Sequence, residues 1–472
     1  SYTVQSCRTI LQAAEENGIH IPTLCHFQGI EDKANCRICV VEVEGMRTFQ
    51  PACVTRVREG MVINTDTEKV RAARKATLEL IMAHHAVDCH HCLRIGSSSE
   101  QSLDPVFCEM CFWCDCERDG FCELQKLNRE YHVDVLPYIQ HEADYEVDNS
   151  LNSVIRNPNK CIKCRRCVDV CGKVQTVHNL SMANRGRDIM VVPELGKSMA
   201  DSACVRCGHC VDVCPVGAIY MKEHKDEVLY MTHSYDVNTV CQVSENVVSE
   251  LTKLYGLDDG AISMEQICTA LHKIGFDRVV TDEYSKNESA RQAAEILENM
   301  IGKTPLILTS SKAVKNFVDE YFPDMKDKIS FYDSAQTIFG RTIRESGAFN
   351  FDKPVKTVNI TNLKEMGAEA EETGNVDYVW NARELYRVFL RTGGAPQRKS
   401  ETGFDTLASD DVPAVYPELL GDKEWVLTSE YEETSINVNG SDYRCAIAHN
   451  LGQVRKLLEG DYKNFDVIRL LA

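Results

Sequence analysis

The sequence predicts an α+β protein of several domains, on three observations. At 472 residues the chain is long enough for three or four domains, at about 100–200 residues each. All but three of its 23 cysteines lie before residue 215; the exceptions are Cys241, Cys268 and Cys445. From about residue 238 the pattern changes to alternating helix and strand signals, the mark of an α/β layer.

Composition narrows the class. Apolar residues make up 43% of the chain, enough for buried cores. There are 52 basic and 71 acidic residues, a formal charge of −19, which argues against nucleic acid or an anionic membrane as partner. No apolar run reaches the roughly 20 residues of a spanning helix, and no secretory pattern opens the chain. A soluble, cytoplasmic protein without membrane insertion is expected, with a short segment preceding Ser1. Many cysteines stand two residues apart, too close for an ordinary disulfide framework and well placed to grip a metal centre in a reducing compartment.

The first set is Cys25, Cys36, Cys39 and Cys53, spaced C-x10-C-x2-C-x13-C. Before it, "TILQAAEENGIHIPTLC" predicts a short amphipathic helix closed by Gly18 and a turn delivering Cys25. Four thiolates on loops can wrap a binuclear cluster closely enough to exclude water. With "ANCRICVVEVEG", this stretch resembles the [2Fe–2S] domain of the large iron–sulfur subunit of respiratory complex I and of iron-only hydrogenases. Cys7 fits no set and is expected as a buried apolar thiol.

The second set repeats C-x2-C-x2-C-x3-C: Cys161, Cys164, Cys167 and Cys171, then Cys204, Cys207, Cys210 and Cys214. Pro215 follows the second run as in bacterial two-cluster ferredoxins, whereas Gly172 follows the first. In that pattern the fourth cysteine of each run ligates the other cluster. One [4Fe–4S] centre is therefore assigned Cys161, Cys164, Cys167 and Cys214. The other takes Cys204, Cys207, Cys210 and Cys171.

Between these sets, "AHHAVDCHHCLRIG" places His85 and Cys89 at H-x3-C and Cys92 at C-x2-C. It resembles the histidine-ligated [4Fe–4S] site of the same families, where a further cysteine stands in a G-x-C-E-L-Q setting. Here "DGFCELQKL" supplies that setting with Cys122, but residues 93–121 intervene. One imidazole in place of a thiolate removes a negative charge and raises the potential. His84, His90 and His91 compete with His85 and are expected to be solvated or to support the site. Residues 97–118 then read as an insertion carrying Cys108, Cys111, Cys114 and Cys116. These could hold a further iron–sulfur cluster or zinc, or one of them could replace Cys122 in the histidine site.

In the rear half, "NESARQAAEILENMIGK" predicts a helix, "TPLILTS" a strand and "SKAVKNFVDEYF" a helix; "YRCAIAH", "NLGQVRKLLEGDY" and "FDVIRLLA" predict strand, helix and strand. "MEQICTALHKIGFDRVV", "AQTIFGRTIRE" and "VDYVWNARELYRVF" resemble the catalytic domain of iron-only hydrogenases. That family's first motif reads T-S-C-C-P. Thr309 and Ser310 survive here, but Ser311 and Lys312 stand at the two cysteine positions. Its second motif, M-P-C-x-x-K, meets "NITNLK", with Thr361 at the ligand position. The third motif would begin just after "FDVIRLLA", so the resemblance implies that the catalytic cluster is lost. Hydroxyls and an ammonium cannot hold a soft iron–sulfur centre. Ser311 and Lys312 could instead be read as a nucleophile pair, but adjacent residues seldom face each other and no orienting third group is visible. No phosphate-cradling glycine motif appears, so no flavin or NAD site is expected in this chain. The acidic run "EMGAEAEETG" is expected as a solvated loop.

The expected architecture is thus α+β and multidomain. It comprises a β-grasp [2Fe–2S] domain over 1–66 and a small helical His/Cys-ligated [4Fe–4S] domain over 67–147. A bacterial two-[4Fe–4S] ferredoxin domain follows over 148–230, and an α/β iron-hydrogenase-like domain over 231–472. The cofactors are one [2Fe–2S] and three [4Fe–4S] clusters, with room for one more centre in the insertion. The resemblance extends to the large subunit of electron-bifurcating hydrogenase complexes and implies a non-catalytic electron-transfer subunit. Its implied partners are a flavin- and NADH-binding subunit like that of complex I, a small [2Fe–2S] subunit, ferredoxin and a separate catalytic subunit. That last subunit is a nickel–iron hydrogenase or, alternatively, a formate dehydrogenase; a transhydrogenase complex is a further variant. A complete iron-only hydrogenase and a metal-stabilised scaffold without redox chemistry are the competing classes.

Overall fold

The computed structural model describes residues 8–85, 116–118, 121–133, 138, 145–300, 305–345, 349–393, 396, 403–405, 407, 427–438 and 441–471. They fall into two compact units: the first within 1–173, 178–202 and 209–220, the second within 174–177, 203–208 and 221–472.

In the first unit, helix α1 (Ile10–Glu16) starts where Thr9 accepts a hydrogen bond from the Gln12 backbone and Gln12 returns one to Thr9. This reciprocal cap satisfies two otherwise orphaned donors. Gly18, at φ +69°, ends it as expected. Ile10, Leu11 and Ala14 bury their side chains with Val41, Val43 and Ala52 and the thiols of Cys39 and Cys53, each large apolar group contributing about 1.5–3 kcal/mol. Strand β1 (Val40–Val43) pairs antiparallel with β2 (Gln50–Pro51) and β3 (Ile63–Asn64). Helix α2 (Glu68–Met82) carries the buried Arg74, which donates to the Val40 and Thr65 carbonyls at 2.8 and 2.9 Å and to the Tyr131 hydroxyl at 3.0 Å. Tyr131 closes helix α3 (Glu123–Glu130). Thus one guanidinium ties the small sheet to both helices through three hydrogen bonds from its terminal nitrogens.

The remainder of this unit consists of short pieces around the cysteine runs. These are β4 (Ile155–Arg156), α4 (Arg166–Asp169), β5 (Ser181–Ala183), β6 (Met190–Val192), α5 (His209–Asp212) and β7 (Ile219–Tyr220), with β4 antiparallel to β7 and β5 antiparallel to β6.

The second unit is a layered α/β structure. Along the chain come α6 (Lys225–Thr232), β8 (Asn238–Val243), α7 (Asn246–Leu254), α8 (Met264–Lys273), β9 (Arg278–Thr281), α9 (Glu283–Met300), β10 (Leu306–Thr309), α10 (Lys312–Tyr321) and β11 (Ile329–Phe331). Then follow α11 (Ala335–Glu345), β12 (Val355–Ile360), α12 (Glu365–Thr373), β13 (Tyr378–Trp380), α13 (Ala382–Thr392), β14 (Glu432–Val438), β15 (Ser441–Ala448), α14 (Leu451–Glu459) and β16 (Val467–Leu470). One sheet runs β13-β12-β8-β9, all parallel. The other runs β11-β10-β16-β15-β14 and is parallel except for its β14–β15 edge. Every residue of β8, β10 and β16 is buried, as a parallel sheet covered on both faces requires. Cys241, Cys268 and Cys445 are all core residues.

The segments expected as helix or strand take those forms. The acidic run is a correction. "EMGAEAEETG" forms α12, closed by Gly374 at φ +62°, with Glu365 and Glu369 buried rather than solvated. The two carboxylates lie four residues apart on one face. Glu365 accepts from the Ser311 hydroxyl, while Glu369 accepts from Ser334 (2.5 Å), Thr337 (2.8 Å) and Asn375 (2.7 Å). Composition marked the run as polar, but its inward face is matched by hydroxyl donors far away in sequence. Among the described residues no helix is long and apolar enough to cross a membrane.

Candidate iron–sulfur sites

The N-terminal set sits on the loops that bracket β1. Ala34 and Arg37 adopt left-handed φ of 50° and 59°, turning the chain so that the Cys36 amide points at the Cys25 sulfur, 3.4 Å away. Across the site Cys39 Sγ lies 3.4 Å from Cys53 Sγ. Two sulfurs on one tetrahedral ion with bonds of about 2.3 Å stand about 3.8 Å apart, close to the Cys39–Cys53 spacing, and the Cys25 and Cys36 thiols form a second, hydrogen-bonded pair. Hydrogen bonding from Cys36, assisted by backbone donors of Cys36 and Asn35, lowers the Cys25 thiol to about 6. The Cys53 thiol likewise lowers Cys39 to about 7, while Cys36 and Cys53 are pushed up. Each pair thus holds one ready thiolate whose charge a bound cation would complete. Among the described residues, no group of three or more His, Cys, Asp or Glu side chains could hold a single metal ion. Paired sulfurs suit a binuclear centre better than mononuclear zinc.

The two four-cysteine runs share a backbone signature. Lys163 and Arg165 in the first have φ of 60° and 70°; Arg206 and Gly208, at the same places in the second, have 61° and 78°. Left-handed residues between successive cysteines bend the chain back on itself in each run. Gly208 also needs its missing side chain, because a Cβ there would stand 2.4 Å from the Lys364 Cβ. Cys161, Cys164, Cys167 and Cys214 line a single cavity whose other walls include Ile162, Ile189, Val191, Val216 and Ile219. The structure therefore brings together the four residues assigned to the first [4Fe–4S] centre. Burial pushes Cys161 up to about 11 and Cys164 up to about 12, and raises Cys167 further with help from its neighbouring thiols. Four thiolates in an apolar cavity are costly alone; the iron charge of a cluster would relieve them. The donor set therefore fits the group. Of the second proposed ligand set, Cys171 and Cys210 belong to the first unit, and Cys204 and Cys207 to the second. Burial raises the Cys171 thiol.

Of the histidine set, His85 follows the end of α2, its amide bonded to the Met82 carbonyl at 3.2 Å. Cys122 caps α3, and burial pushes its thiol up to about 12, with Cys116 and Cys214 adding to the effect. Cys116, grouped with the insertion in the sequence, is buried, its sulfur 2.9 Å from where a Cβ on Gly217 would stand. The structure thus sets Cys116 near Cys122. Cys89, Cys92, Cys108, Cys111 and Cys114 lie outside the described residues.

At the rear pocket, Ser311 caps α10 by accepting from Val314 and donates to Glu365. Lys312 pairs with Glu372 at 2.9 Å, which also holds Arg206 at 3.0 Å. Thr361 is buried and accepts from Asn246 and from the Leu363 amide, both at 3.3 Å. Each replacement is engaged in a helix cap, an ion pair or a turn. Ser311 and Lys312 are held by different carboxylates, Glu365 and Glu372, which tells against the nucleophile reading.

Sequence reasoning passed over Arg166 and Glu123. Arg166 donates through both terminal nitrogens to the two Glu123 oxygens, at 2.7 Å each. The only signal was an Arg–Arg doublet inside a cysteine run.

Fold and site together define a multidomain iron–sulfur electron carrier with an α/β rear half. Three families match the chain: "2Fe-2S iron-sulfur cluster binding domain" over residues 1–68, "4Fe-4S dicluster domain" over 160–218, and "Iron only hydrogenase large subunit, C-terminal domain" over 237–468. The NADP-reducing hydrogenase subunit HndD of Solidesulfovibrio fructosivorans is 29% identical over 98% of this chain and 84% of its own. Iron hydrogenase 1 of Clostridium pasteurianum is 28% identical over 80% of this chain and 64% of its own. The NADH-ubiquinone oxidoreductase 75 kDa subunit of Reclinomonas americana is 30% identical, over 50% and 31% respectively. Among solved structures, an NAD+-reducing [NiFe]-hydrogenase matches 47% of this chain and 83% of its own at 24% identity, with a TM-score of 0.40. The chain is thus similar along nearly its whole length to a hydrogenase iron–sulfur subunit, and over part of its length to iron–sulfur subunits of complex I.

Proposed function

We propose that this chain relays electrons within a soluble NAD(P)(H)- and ferredoxin-linked, electron-bifurcating complex and does not itself activate hydrogen. The observation that carries the reading is the contrast between the two halves. Thiols stay paired or gathered at Cys25/Cys36, Cys39/Cys53 and Cys161/Cys164/Cys167/Cys214. Meanwhile Ser311, Lys312 and Thr361 are committed to protein hydrogen bonds and ion pairs.

The division at residues 66, 147 and 230 into [2Fe–2S], histidine-ligated, two-cluster and hydrogenase-like domains is part of this proposal. So are the remaining ligand sets: His85, Cys89, Cys92 and Cys122, and Cys204, Cys207, Cys210 and Cys171. The cysteine-rich insertion would hold one more centre. The β-grasp description of the first domain is supported by α1 packing against β1.

Iron–sulfur clusters supply one-electron carriage over about −700 to +450 mV, tuned by charge, hydrogen bonds and solvent access. The chain's own residues hold, shield and bias them. Cysteine thiolates bind, the amides of Asn35 and Cys36 point at Cys25 sulfur, and the apolar walls of the Cys161 cavity keep water out. Electrons would enter from a flavin-bearing subunit that oxidises NAD(P)H, a partner suggested by the relatives' names. They would leave toward ferredoxin or a separate catalytic subunit, with a nickel–iron hydrogenase ahead of a formate dehydrogenase. The degenerate rear domain serves as scaffold: its two sheets keep their buried cores.

The test is purification from the native host under anaerobic conditions, with metal analysis, subunit identification and a hydrogen assay on the isolated chain. Stoichiometric nickel or molybdenum in a co-purifying subunit, with no hydrogen evolution by the chain alone, is the expected outcome. Hydrogen turnover by the lone chain, or no reducible low-potential centre in its paramagnetic resonance spectrum, overturns the proposal.

A further inference from the structure

Arg166 stands between Cys164 and Cys167 at the start of α4, its side chain 3% exposed. Besides its two bonds to Glu123, it reaches the Val213 carbonyl at 3.5 Å, and its guanidinium carbon lies 5.4 Å from the centre of the Phe27 ring. Each contact adjoins a proposed ligand. Glu123 follows Cys122, Val213 precedes Cys214, and Phe27 lies two residues beyond Cys25. The side chain therefore lies between the Cys25 loop and the Cys161/Cys164/Cys167/Cys214 cavity, and its carboxylate partner adjoins Cys122 of the histidine set.

Its charge is not cancelled by its partner. Glu123 is 43% exposed, so water screens the carboxylate while the guanidinium stays in a low-dielectric surrounding. A guanidinium stays protonated at any accessible pH, so the buried charge is permanent.

We propose that Arg166 is a buried cation shared by the Cys25 site and the Cys161/Cys164/Cys167/Cys214 cavity, raising the reduction potentials of both, with Glu123 setting how much of that charge remains. Adding an electron beside a fixed, poorly screened positive charge is favoured. One residue would thereby keep two neighbouring carriers in step, so that reduction of one does not leave the other out of reach. The inference rests on the proposal that these cysteines hold clusters.

The experiment is a redox titration followed by paramagnetic resonance on the complete, cluster-loaded protein, comparing Arg166→Gln, Arg166→Lys and Glu123→Gln with the parent. In Arg166→Gln both midpoints move negative, by about tenfold in the reduced-to-oxidised ratio, or about 59 mV for one electron. Arg166→Lys keeps most of the parental values. Glu123→Gln moves both positive, and it tests the idea even if Arg166→Gln loses its clusters. Unmoved midpoints in Arg166→Gln, or a uniform shift of all centres that Arg166→Lys reproduces, overturn the role of Arg166. Absence of both signals from the parent protein sinks instead the cluster assignment beneath it.

Discussion

The Asn35 side-chain amide donates to the Lys163 carbonyl at 2.8 Å. Asn35 adjoins Cys36 and Lys163 lies between Cys161 and Cys164, so this bond joins the loop of one proposed centre to the loop of the next. Lys33 reinforces it from the same loop by pairing with Asp169 at the end of α4.

Removing that amide tests the junction. Asn35→Ala is expected to cost about 0.5–1.5 kcal/mol, the net worth of one intramolecular hydrogen bond. The cost should appear as faster iron release to a chelator, with the binuclear resonance signal decaying first. Release at the parental rate would mean the two loops hold each other by packing alone.

The ligand pairs can be separated by substitution. Cys39→Ser should abolish the binuclear signal while leaving the cubane signals, because the Cys39 and Cys53 sulfurs lie 3.4 Å apart, at the metal position proposed for the pair. Cys164→Ser should remove one cubane signal and leave the binuclear one. Loss of both signals from either variant, with the protein still folded by circular dichroism, would contradict two independent centres.

A pH effect follows from α12. Burial raises the Glu369 carboxyl above its ordinary value, against the pull of Ser334, Thr337 and Asn375. A carboxyl whose folded value is raised prefers the proton when folded. Its contribution is complete below the unfolded value of about 4.3 and disappears as pH climbs through the raised one. Unfolding of the second unit should therefore become easier across that window, and Glu369→Gln should flatten the dependence. Calorimetry of the full chain at stepped pH reads this directly; an identical slope in the variant would count against it.

Restoring ligands should not restore chemistry. The triple change Ser311→Cys, Lys312→Cys and Thr361→Cys removes the Ser311 cap of α10, worth about 0.5–2 kcal/mol. It also leaves Glu365 without its hydroxyl donor and Glu372 without its lysine. Lower thermal stability and no hydrogen evolution from a reduced dye are expected. Hydrogen production by this variant would show that the pocket is dormant rather than rebuilt.

Much of this was legible without coordinates, and the reason is local. A thiolate set that grips one cluster must lie close in sequence or on repeated loops, so Cys161 to Cys171 and Cys204 to Cys214 announce themselves by spacing. Helices such as α9 and α10 show a regular apolar stripe, and β10 shows an uninterrupted apolar run. The acidic run misled because a carboxylate is polar wherever it sits; only distant Ser311, Ser334 and Thr337 make an inward Glu365 and Glu369 tolerable.

By itself, then, the sequence determined which thiols can act together and which catalytic positions had changed, since both are matters of residue type at short separation. Only the tertiary structure decided that Cys39 pairs with Cys53, that Asn35 bridges to Lys163, and that Arg166 lies buried between two sites. It also decided that Ser311, Lys312 and Thr361 are engaged rather than idle. Those relations depend on groups brought together by packing across long stretches of chain, where hydrogen-bond satisfaction and burial select the partners and spacing carries no trace of them.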